Sequence, residues 1–227
     1  MARMARVVAA GLPHHVTQRG NRRQQTFFCD DDYQNYLTLL AESCRKAKVA
    51  VWAYCLMPNH VHLILVPRDT DGLRAALADA HRRYSREINF REGWRGYLWQ
   101  GRFASFPMDE NYVLACARYV ELNPVRARLA ARARDWRWSS ARAHLKGQDD
   151  RLVQVSPLLE RVDDWKGFLD GGLDASAREA IRASERTGRP LGDKGFIRKL
   201  EKKLDRTLAR RKPGPKPAGY TDQPKLF

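Results

Sequence analysis

Long apolar segments are missing from this sequence, and so is any regular spacing of cysteines. No apolar run approaches the roughly 20 residues that a membrane-spanning helix needs, and the N-terminus lacks the apolar core of a signal peptide. The cysteines are scattered, with no CxxC pair, at Cys29, Cys44, Cys55 and Cys116. This spacing of cysteines indicates neither a zinc knuckle nor a disulfide framework, so it favours a reducing cytoplasm. The missing apolar segments predict no association with a membrane.

Acidic residues are also scarce. The chain has 26 acidic and 42 basic residues among 227, a formal net charge of +16 and a sequence pI of about 10.1. Such an excess favours a polyanionic partner, nucleic acid before a membrane surface. A ribosomal-type or merely soluble basic protein would carry the same charge, so charge alone does not identify the class of protein. The length suits one medium domain with appendages.

Two histidines separated by one residue follow a turn at Pro58 and Asn59. The following residues are mostly β-branched or apolar, which predicts a buried strand. Because successive strand side chains point to opposite faces, His60 and His62 share one face, about 7 Å apart, and can bind one metal ion. We expect Val61 to face the core on the other side. The alternative is that both histidines are hydrogen-bonded structural residues.

A second polar pair lies on a predicted helix that begins near residue 109. Tyr119 and Asn123 are four residues apart, so they lie on one helical face, about 6 Å apart along the axis. Pro124 ends or kinks the regular helix just beyond them. Tyr112 lies on the same helix seven residues before Tyr119. Its hydroxyl is therefore an alternative candidate for any function assigned to Tyr119.

The two stretches together resemble a known family. His60-Val61-His62 is similar to the HUH motif, histidine–hydrophobe–histidine, and Tyr119 with Asn123 is similar to the tyrosine-helix motif of single-tyrosine HUH transposases, the insertion-sequence transposase A type. The segment RYVELNPVRARL is more similar to a bacterial branch of this family, the REP-associated tyrosine transposases. Further matches are HHVTQRGNRRQ near the start, LWQGRF at 98–103 and WSS at 138–140. The resemblance runs from about residue 14 to about residue 145.

The resemblance implies a chemistry and a substrate. Tyr119 would attack a DNA phosphate and form a covalent 5′-phosphotyrosine, and His60, His62 and Asn123 would hold Mg²⁺ or Mn²⁺. Two imidazoles alone would suit Mn²⁺ or Zn²⁺ better than Mg²⁺. The substrate would be single-stranded DNA with a hairpin, a repetitive extragenic palindrome (REP), nicked and rejoined in DNA transposition or recombination at the bacterial nucleoid.

Hydrophobic patterning predicts the order β-α-β-β-α-β. This order predicts an α+β fold, a ferredoxin-like sandwich with an antiparallel sheet and helices on one face. A helical, basic C-terminal extension follows it. The predicted strands span residues 12–19, 49–56, 60–66 and 97–108, and the predicted helices span residues 30–48, 72–90, 109–122 and 125–134.

We expect three regions: a catalytic domain at 1–146, a helical linker region at 147–188, and a basic helix with a flexible DNA-binding tail at 189–227. For the last region the alternative is an amphipathic helix packed on the domain. Trp99 and Phe103 either stack on bases or pack in the core. The residues predicted to contact DNA are basic side chains in loops, helices and the tail: Arg19, Arg22, Arg23, Arg102, Arg126, Arg189, Lys199, Lys203, Arg210, Arg211 and Lys212.

Other functions remain open from the sequence. A non-catalytic, domesticated protein that binds nucleic-acid hairpins would keep the fold without turnover. A metal-dependent hydrolase that uses water would cleave DNA without a covalent adduct, and Tyr119 would then be a core residue. The sequence is compatible with a monomer or a dimer, and with a mobile or a domesticated transposase.

Overall fold

Four antiparallel strands form one sheet in the computed structural model, which describes residues 5–209. The strands are β1 (His14–Arg19), β2 (Val49–Met57), β3 (His60–Pro67) and β4 (Ala104–Pro107), and their order in the sheet is β2-β3-β1-β4. The two central strands are therefore β1 and β3, which are far apart in the sequence. With two crossover helices this is the ferredoxin-like order, so the predicted α+β sandwich is confirmed.

The predicted turn at Pro58 and Asn59 joins β2 to β3 as a two-residue hairpin, with Met57 opposite His60. From there the side chains alternate between the two faces of the sheet. Val61 and the apolar residues two and four positions later pack in one core cluster. His60 and His62 point to the opposite face, as the alternation predicts.

Two helices cover the first face of the sheet: α1 (Asp30–Lys46) and α2 (Gly72–Arg91). Their apolar side chains, with Tyr36 and Tyr84 fully buried, form one cluster with the strands. At the start of α1, the Asp32 carboxylate accepts a hydrogen bond from the Phe28 backbone N–H at 2.8 Å. The same carboxylate pairs with Arg91 at the end of α2. This contact therefore links the start of one helix to the end of the other.

The second face is also covered by a helix. Helix α3 (Glu110–Glu121) places Val113, Ala117 and Val120 in a separate cluster with Ile64 and Phe106 from the sheet. Helices lie on both faces, so the prediction of helices on one face was too narrow. The reason is that β3 is apolar toward both sides, which leaves a second apolar face to be buried.

Two predicted elements are shorter than their patterns suggested. The strand predicted over 97–108 is regular only at β4, and the residues before it form a loop. The prediction of a helix over 125–134 is wrong. Helix α4 (Asn123–Arg126) ends at Arg126, and Arg128 has a left-handed backbone with φ of 57°. The alanine-rich composition favours a helix, but tertiary contacts of the next segment override that propensity. The Trp136 indole N–H, for example, donates to the Leu56 carbonyl at 2.9 Å.

Short segments cover both edges of the sheet. Along β2, the Leu56 N–H donates to the Trp138 carbonyl at 2.8 Å and the Ser140 N–H donates to the Tyr54 carbonyl at 3.0 Å. Along β4, the Leu191 N–H donates to the Pro107 carbonyl at 2.9 Å. The edge strands therefore have part of their backbone hydrogen bonding satisfied within the chain.

The remaining helices pack against this sandwich, and none in residues 5–209 is long and apolar enough to cross a membrane. Helix α9 (Lys194–Leu204) and the residues after it pack on the N-terminal segment, where Leu200 and Leu208 bury Val7 and Ala9. The helices are α5 (Ala141–Lys146), α6 (Ser156–Leu159), α7 (Trp165–Asp170), α8 (Ala175–Thr187) and α9 (Lys194–Leu204).

A histidine of α2, His81, faces α1 and predicts that the fold is sensitive to acid. The His81 Nε2 lies 2.9 Å from the Tyr36 hydroxyl, and burial lowers the pKa of His81 from 6.5 to about 3. The unfolded chain therefore binds this proton first as the pH falls. The stability that His81 contributes is complete above its ordinary pKa and is lost as the pH falls toward its folded pKa.

Between pH 7.5 and pH 5, we expect the unfolding free energy of His81→Gln to fall by about 2 kcal/mol less than that of the parent. Urea unfolding curves at the two pH values measure this difference. Equal losses in both proteins would contradict the assignment of acid sensitivity to His81.

Candidate active site

Six of the residues singled out from the sequence line one cavity of about 500 Å³. They are the two histidines of β3, the tyrosine of α3, the asparagine of α4 and two of the predicted DNA-binding arginines. The cavity opens between β1, β3, α3, α4 and α8. Its lining comprises Thr17, Gln18, Arg19, His60, His62, Tyr119, Asn123, Arg126, Ala127, Arg182, Glu185 and Arg186.

The histidines at the base of the cavity form a compact group. The His15 Nε2 lies 3.0 Å from the His62 Nδ1, and the two rings are stacked with centroids 5.2 Å apart. The His60 and His62 rings are 5.0 Å apart. Burial lowers the pKa of His60 to about 3 and that of His15 to about 3. The imidazoles are therefore neutral at neutral pH, the form that binds metal ions.

Tyr119 projects from the third turn of α3 toward these histidines and is only 6% exposed. Its ring meets the His62 and His15 rings edge-on, at centroid distances of 5.7 and 6.0 Å. Burial raises the pKa of the hydroxyl, and Glu185 raises it further, whereas Arg126 and Arg182 lower it. The Arg126 guanidinium lies 4.2 Å from the ring centroid. Tyr119 is therefore a neutral phenol with cations already beside it.

Asn123 reaches the same cavity across a change of helix. Helix α3 ends at Glu121, and α4 begins at Asn123 with Pro124 in its first turn. The turn remains tight, because the Arg126 N–H donates to the Leu122 carbonyl at 3.0 Å. The predicted spacing of four residues from Tyr119 thus still brings both side chains to one pocket.

Helix α8 adds residues to the cavity that the sequence analysis did not identify. Glu185 approaches with its Oε1 3.6 Å from the His62 Nδ1 and 3.7 Å from the His15 Nδ1. Arg182 and Arg186 line the cavity from the same helix. Their spacing of three and four residues puts them on one helical face, which is the only signal for them in the sequence.

The acidic and histidine ligand atoms fit a divalent cation. One ligand atom each from His15, His62 and Glu185 lies within 4.8 Å of the other two. The His15 Nδ1 and the Glu185 Oε1 are buried and find no hydrogen-bond partner within residues 5–209. This set shares His62 with the set predicted from the sequence, which contains His60 and Asn123. Imidazole and carboxylate ligands together suit Mn²⁺ better than an all-imidazole site would.

Arginine dominates the charge of the cavity. Arg19, Arg126, Arg182 and Arg186 line it, against the single acidic residue Glu185. Guanidinium groups present planar forks of donors that match phosphate oxygens. The cavity is therefore suited to an anionic phosphodiester.

The other basic residues predicted to contact DNA lie in several different places. Arg22, Arg23, Arg102 and Lys199 are exposed. The Arg189 guanidinium donates to the Leu208 carbonyl at 2.6 Å, and the Lys203 ammonium donates to the Ala10 carbonyl at 3.0 Å. These two cations therefore help to hold α9 on the domain. Outside the described residues lie Arg210, Arg211 and Lys212. The sequence left base stacking and core packing as alternatives for Trp99 and Phe103, and both side chains are buried in the core.

A buried carboxylate holds the end of the tyrosine helix. Glu121 is fully buried. Its Oε1 accepts hydrogen bonds from the Ser140 hydroxyl at 2.6 Å and the His144 Nδ1 at 2.7 Å, and its Oε2 accepts from the Trp165 indole at 2.9 Å. Two separate segments, at α5 and α7, thus converge on a residue two positions from both Tyr119 and Asn123, which fixes the direction of their backbone.

The fold and the cavity define an HUH-type α+β domain with a tyrosine on a helix beside the histidine face of the sheet. Comparisons agree: the family model described as "Transposase IS200 like" matches residues 9–123. The chain belongs to the IS200-like transposase family.

Two individual matches are to proteins that carry the name of one branch of that family. A curated Haemophilus influenzae protein, named as a candidate REP-associated tyrosine transposase, is 24% identical over 151 residues, covering 61% of this chain and 80% of that protein. A solved structure of a REP-associated tyrosine transposase bound to a REP hairpin matches with a TM-score of 0.52 and 22% identity. It covers 66% of this chain and 90% of that one, and the likeness supports the fold.

Removing the buried carboxylate should destabilise the domain strongly. We expect Glu121→Ala to lower the unfolding free energy by about 3 kcal/mol, because it leaves buried donors without their acceptor. Glu110→Ala is the matched control on the same helix, where an exposed glutamate pairs with Arg161, and should cost under about 0.5 kcal/mol. Chemical unfolding of both variants measures the contrast, and a loss at Glu121 as small as the control would contradict the proposed network.

Proposed function

We propose that this protein is a metal-dependent tyrosine transposase that nicks and rejoins single-stranded DNA at hairpins. The observation that carries the proposal is that Tyr119 lies against the histidine pair of β3 in a cavity lined by four arginines. Each part alone is common in proteins. Together they supply a nucleophile, a binding site for a metal ion and a site for phosphate.

The reaction makes and breaks one phosphorus–oxygen bond at a time. The Tyr119 oxygen attacks the phosphorus of a DNA phosphodiester and loses its proton, and the bond to the 3′ oxygen breaks, which leaves a 3′-OH. The DNA remains attached through a 5′-phosphotyrosine. Because the number of phosphodiester bonds is conserved, the 3′-OH of another strand can reverse the step without ATP.

The surroundings of Tyr119 explain how a phenol can act at neutral pH. Burial raises the pKa of the hydroxyl, but Arg126 and Arg182 oppose this shift. These cations would stabilise the phenolate as it forms and the charge that develops on the phosphate. The arginines of the cavity would also align the phosphate for attack.

We propose that His60, His62 and Asn123 hold the cation, Mg²⁺ or Mn²⁺, as the resemblance implies. When bound, a divalent cation polarises the scissile phosphate and offsets its growing negative charge. Glu185 is the alternative oxygen ligand, because it approaches His62 from α8. The region after residue 146 therefore contributes to the proposed catalytic centre and does not only connect two domains.

The proposed substrate is a DNA hairpin of the REP type, next to unpaired DNA. The support comes from the matched structure, whose protein is bound to a REP hairpin, and from the net charge of +16. Arg19, Arg22, Arg23 and Arg102 would contact phosphates near the cleavage site. Lys199 and the basic residues beyond 209 would add further phosphate contacts. Binding to hairpins of this kind in chromosomal DNA would bring the protein to the nucleoid.

Loss of the nucleophile should abolish the covalent adduct. We expect Tyr119→Phe to form no protein–DNA adduct, while Tyr112→Phe keeps adduct formation within about twofold of the parent, because Tyr112 is seven residues earlier and does not line the cavity. The assay incubates labelled hairpin DNA from the flanks of the gene with Mn²⁺, Mg²⁺ or EDTA and resolves the products on a denaturing protein gel. A loss of about 10⁴-fold or more is expected for the first variant.

Two outcomes of this assay would contradict the proposal. Cleavage without an adduct would indicate a hydrolase that uses water. Tight hairpin binding with no cleavage under any metal would indicate a non-catalytic binding protein.

The metal ligands can be separated by binding measurements alone. We expect His62→Ala to lower Mn²⁺ affinity about 100-fold or more, because His62 belongs to both candidate sets. Asn123→Ala should weaken binding about tenfold and Glu185→Ala should weaken it less. Calorimetric titration with Mn²⁺ gives these values. A larger loss for Glu185→Ala than for Asn123→Ala would replace Asn123 by Glu185 in the ligand set.

A further inference from the structure

Four large aromatic side chains are exposed near the end of α2, and we call them the aromatic patch. They are Phe28, Phe90, Trp94 and Tyr97, which expose 37%, 90%, 43% and 86% of their surface. An aromatic ring that is nearly free of protein contact costs solvation free energy unless a partner covers it. The cavity described above does not account for these rings.

The segment that carries three of these rings is held by specific hydrogen bonds. The Asn89 side chain donates to the Gly96 carbonyl at 2.9 Å, and the Trp94 N–H donates to the Asn89 carbonyl at 2.8 Å. Trp94 also meets Phe28 edge-on at a centroid distance of 5.7 Å. Phe90 and Tyr97 therefore branch from two fixed, neighbouring points of the chain.

Exposed arginines lie in the patch segment and in the chain segments next to it. Arg22, Arg23, Arg95 and Arg102 are exposed, and within residues 5–209 their side chains form no ion pair. Acidic residues are present too, but Asp32 is already paired with Arg91. Exposed rings interleaved with free guanidinium groups are the combination that binds unpaired nucleic acid, because rings stack on bases and cations bind the phosphates between them.

The chain just after the patch is hydrogen-bonded to the end of β1, which lines the cavity. The Gln100 N–H donates to the Arg19 carbonyl at 2.8 Å, and the Asn21 N–H donates to the Leu98 carbonyl at 2.8 Å. Arg19 itself lines the cavity. The backbone just after Tyr97, at residues 98–100, is therefore hydrogen-bonded to residues 19–21, which begin with the cavity-lining Arg19.

We propose that the aromatic patch is a stacking subsite for unpaired bases of the DNA strand whose phosphate enters the Tyr119 cavity. This inference rests on the proposed function, because it assumes a single-stranded substrate in that cavity. A duplex hides the faces of its bases within the stack, so exposed rings favour the single-stranded flank over the hairpin stem. The subsite would hold the flank in a sequence-tolerant way, by ring stacking and phosphate contacts.

The test measures binding separately from cleavage. The parent for all variants is the full chain with Tyr119→Phe, in EDTA, so that neither cleavage nor metal affects the result. Fluorescence anisotropy compares a hairpin from the flanks of the gene with the same hairpin carrying a single-stranded tail of about ten thymidines, a length within the range covered by such sites. The tail is placed on the 5′ or the 3′ side in separate probes.

We expect Phe90→Ala with Tyr97→Ala to lower the affinity for one tailed hairpin about tenfold or more, and to change the affinity for the tailless hairpin less than twofold. Tyr97→Phe in place of Tyr97→Ala should restore part of the affinity, because it keeps the ring. Leu129→Ala, an exposed apolar residue outside the patch, should change neither value. Thermal melting confirms that each variant is folded.

Three outcomes would overturn the inference. The first is unchanged binding of both tailed probes. The second is an equal loss for tailed and tailless hairpins. The third is a change in sedimentation without a change in DNA binding, which would assign the patch to a contact between copies of this chain. Because this binding assay involves no covalent adduct, its result does not depend on whether Tyr119 acts as the nucleophile.

Discussion

The packing of the tyrosine helix on the histidine face of the sheet is the contact on which the site depends. Apolar residues of α3 bury Ile64 and Phe106, and this burial sets Tyr119 edge-on to His62. The hydrogen bonds of Glu121 then fix the far end of the helix. Hydrophobic burial thus supplies the stability of the contact, and a few buried hydrogen bonds supply its direction.

Local sequence was sufficient for the parts of the fold and site that depend on periodicity. The alternation in β3 predicted that His60 and His62 face away from Val61, and the spacing of Tyr119 and Asn123 survived the break between α3 and α4. The chain order of strands and helices, with a two-residue turn at Pro58, predicted the ferredoxin-like topology. The first two of these inferences concern neighbours within about one helical turn or one strand, and the third rests on the order of such local elements along the chain.

The parts that failed or were missed depend on contacts between distant segments. His15 meets His62 because β1 pairs with β3, with Thr17 opposite His62, and nothing in the sequence near His15 specifies that partner. Glu185 lies in an ordinary amphipathic helix, more than a hundred residues from the histidines. The alanine-rich stretch after Arg126 did not form its helix, because the segment that follows is held along β2. Propensity is a weak guide where tertiary contacts compete with it.

The covered edges of the sheet have a consequence for how this protein can meet other molecules. Residues 138–140 occupy part of the outer side of β2, and Leu191 does the same for β4. An exposed strand edge is a template onto which another chain can add a strand, in dimers and in aggregates alike. Where these edges are occupied, recognition must use side chains and loops. The protein can therefore be rich in exposed aromatic and basic groups without offering its backbone to a neighbouring copy at these positions.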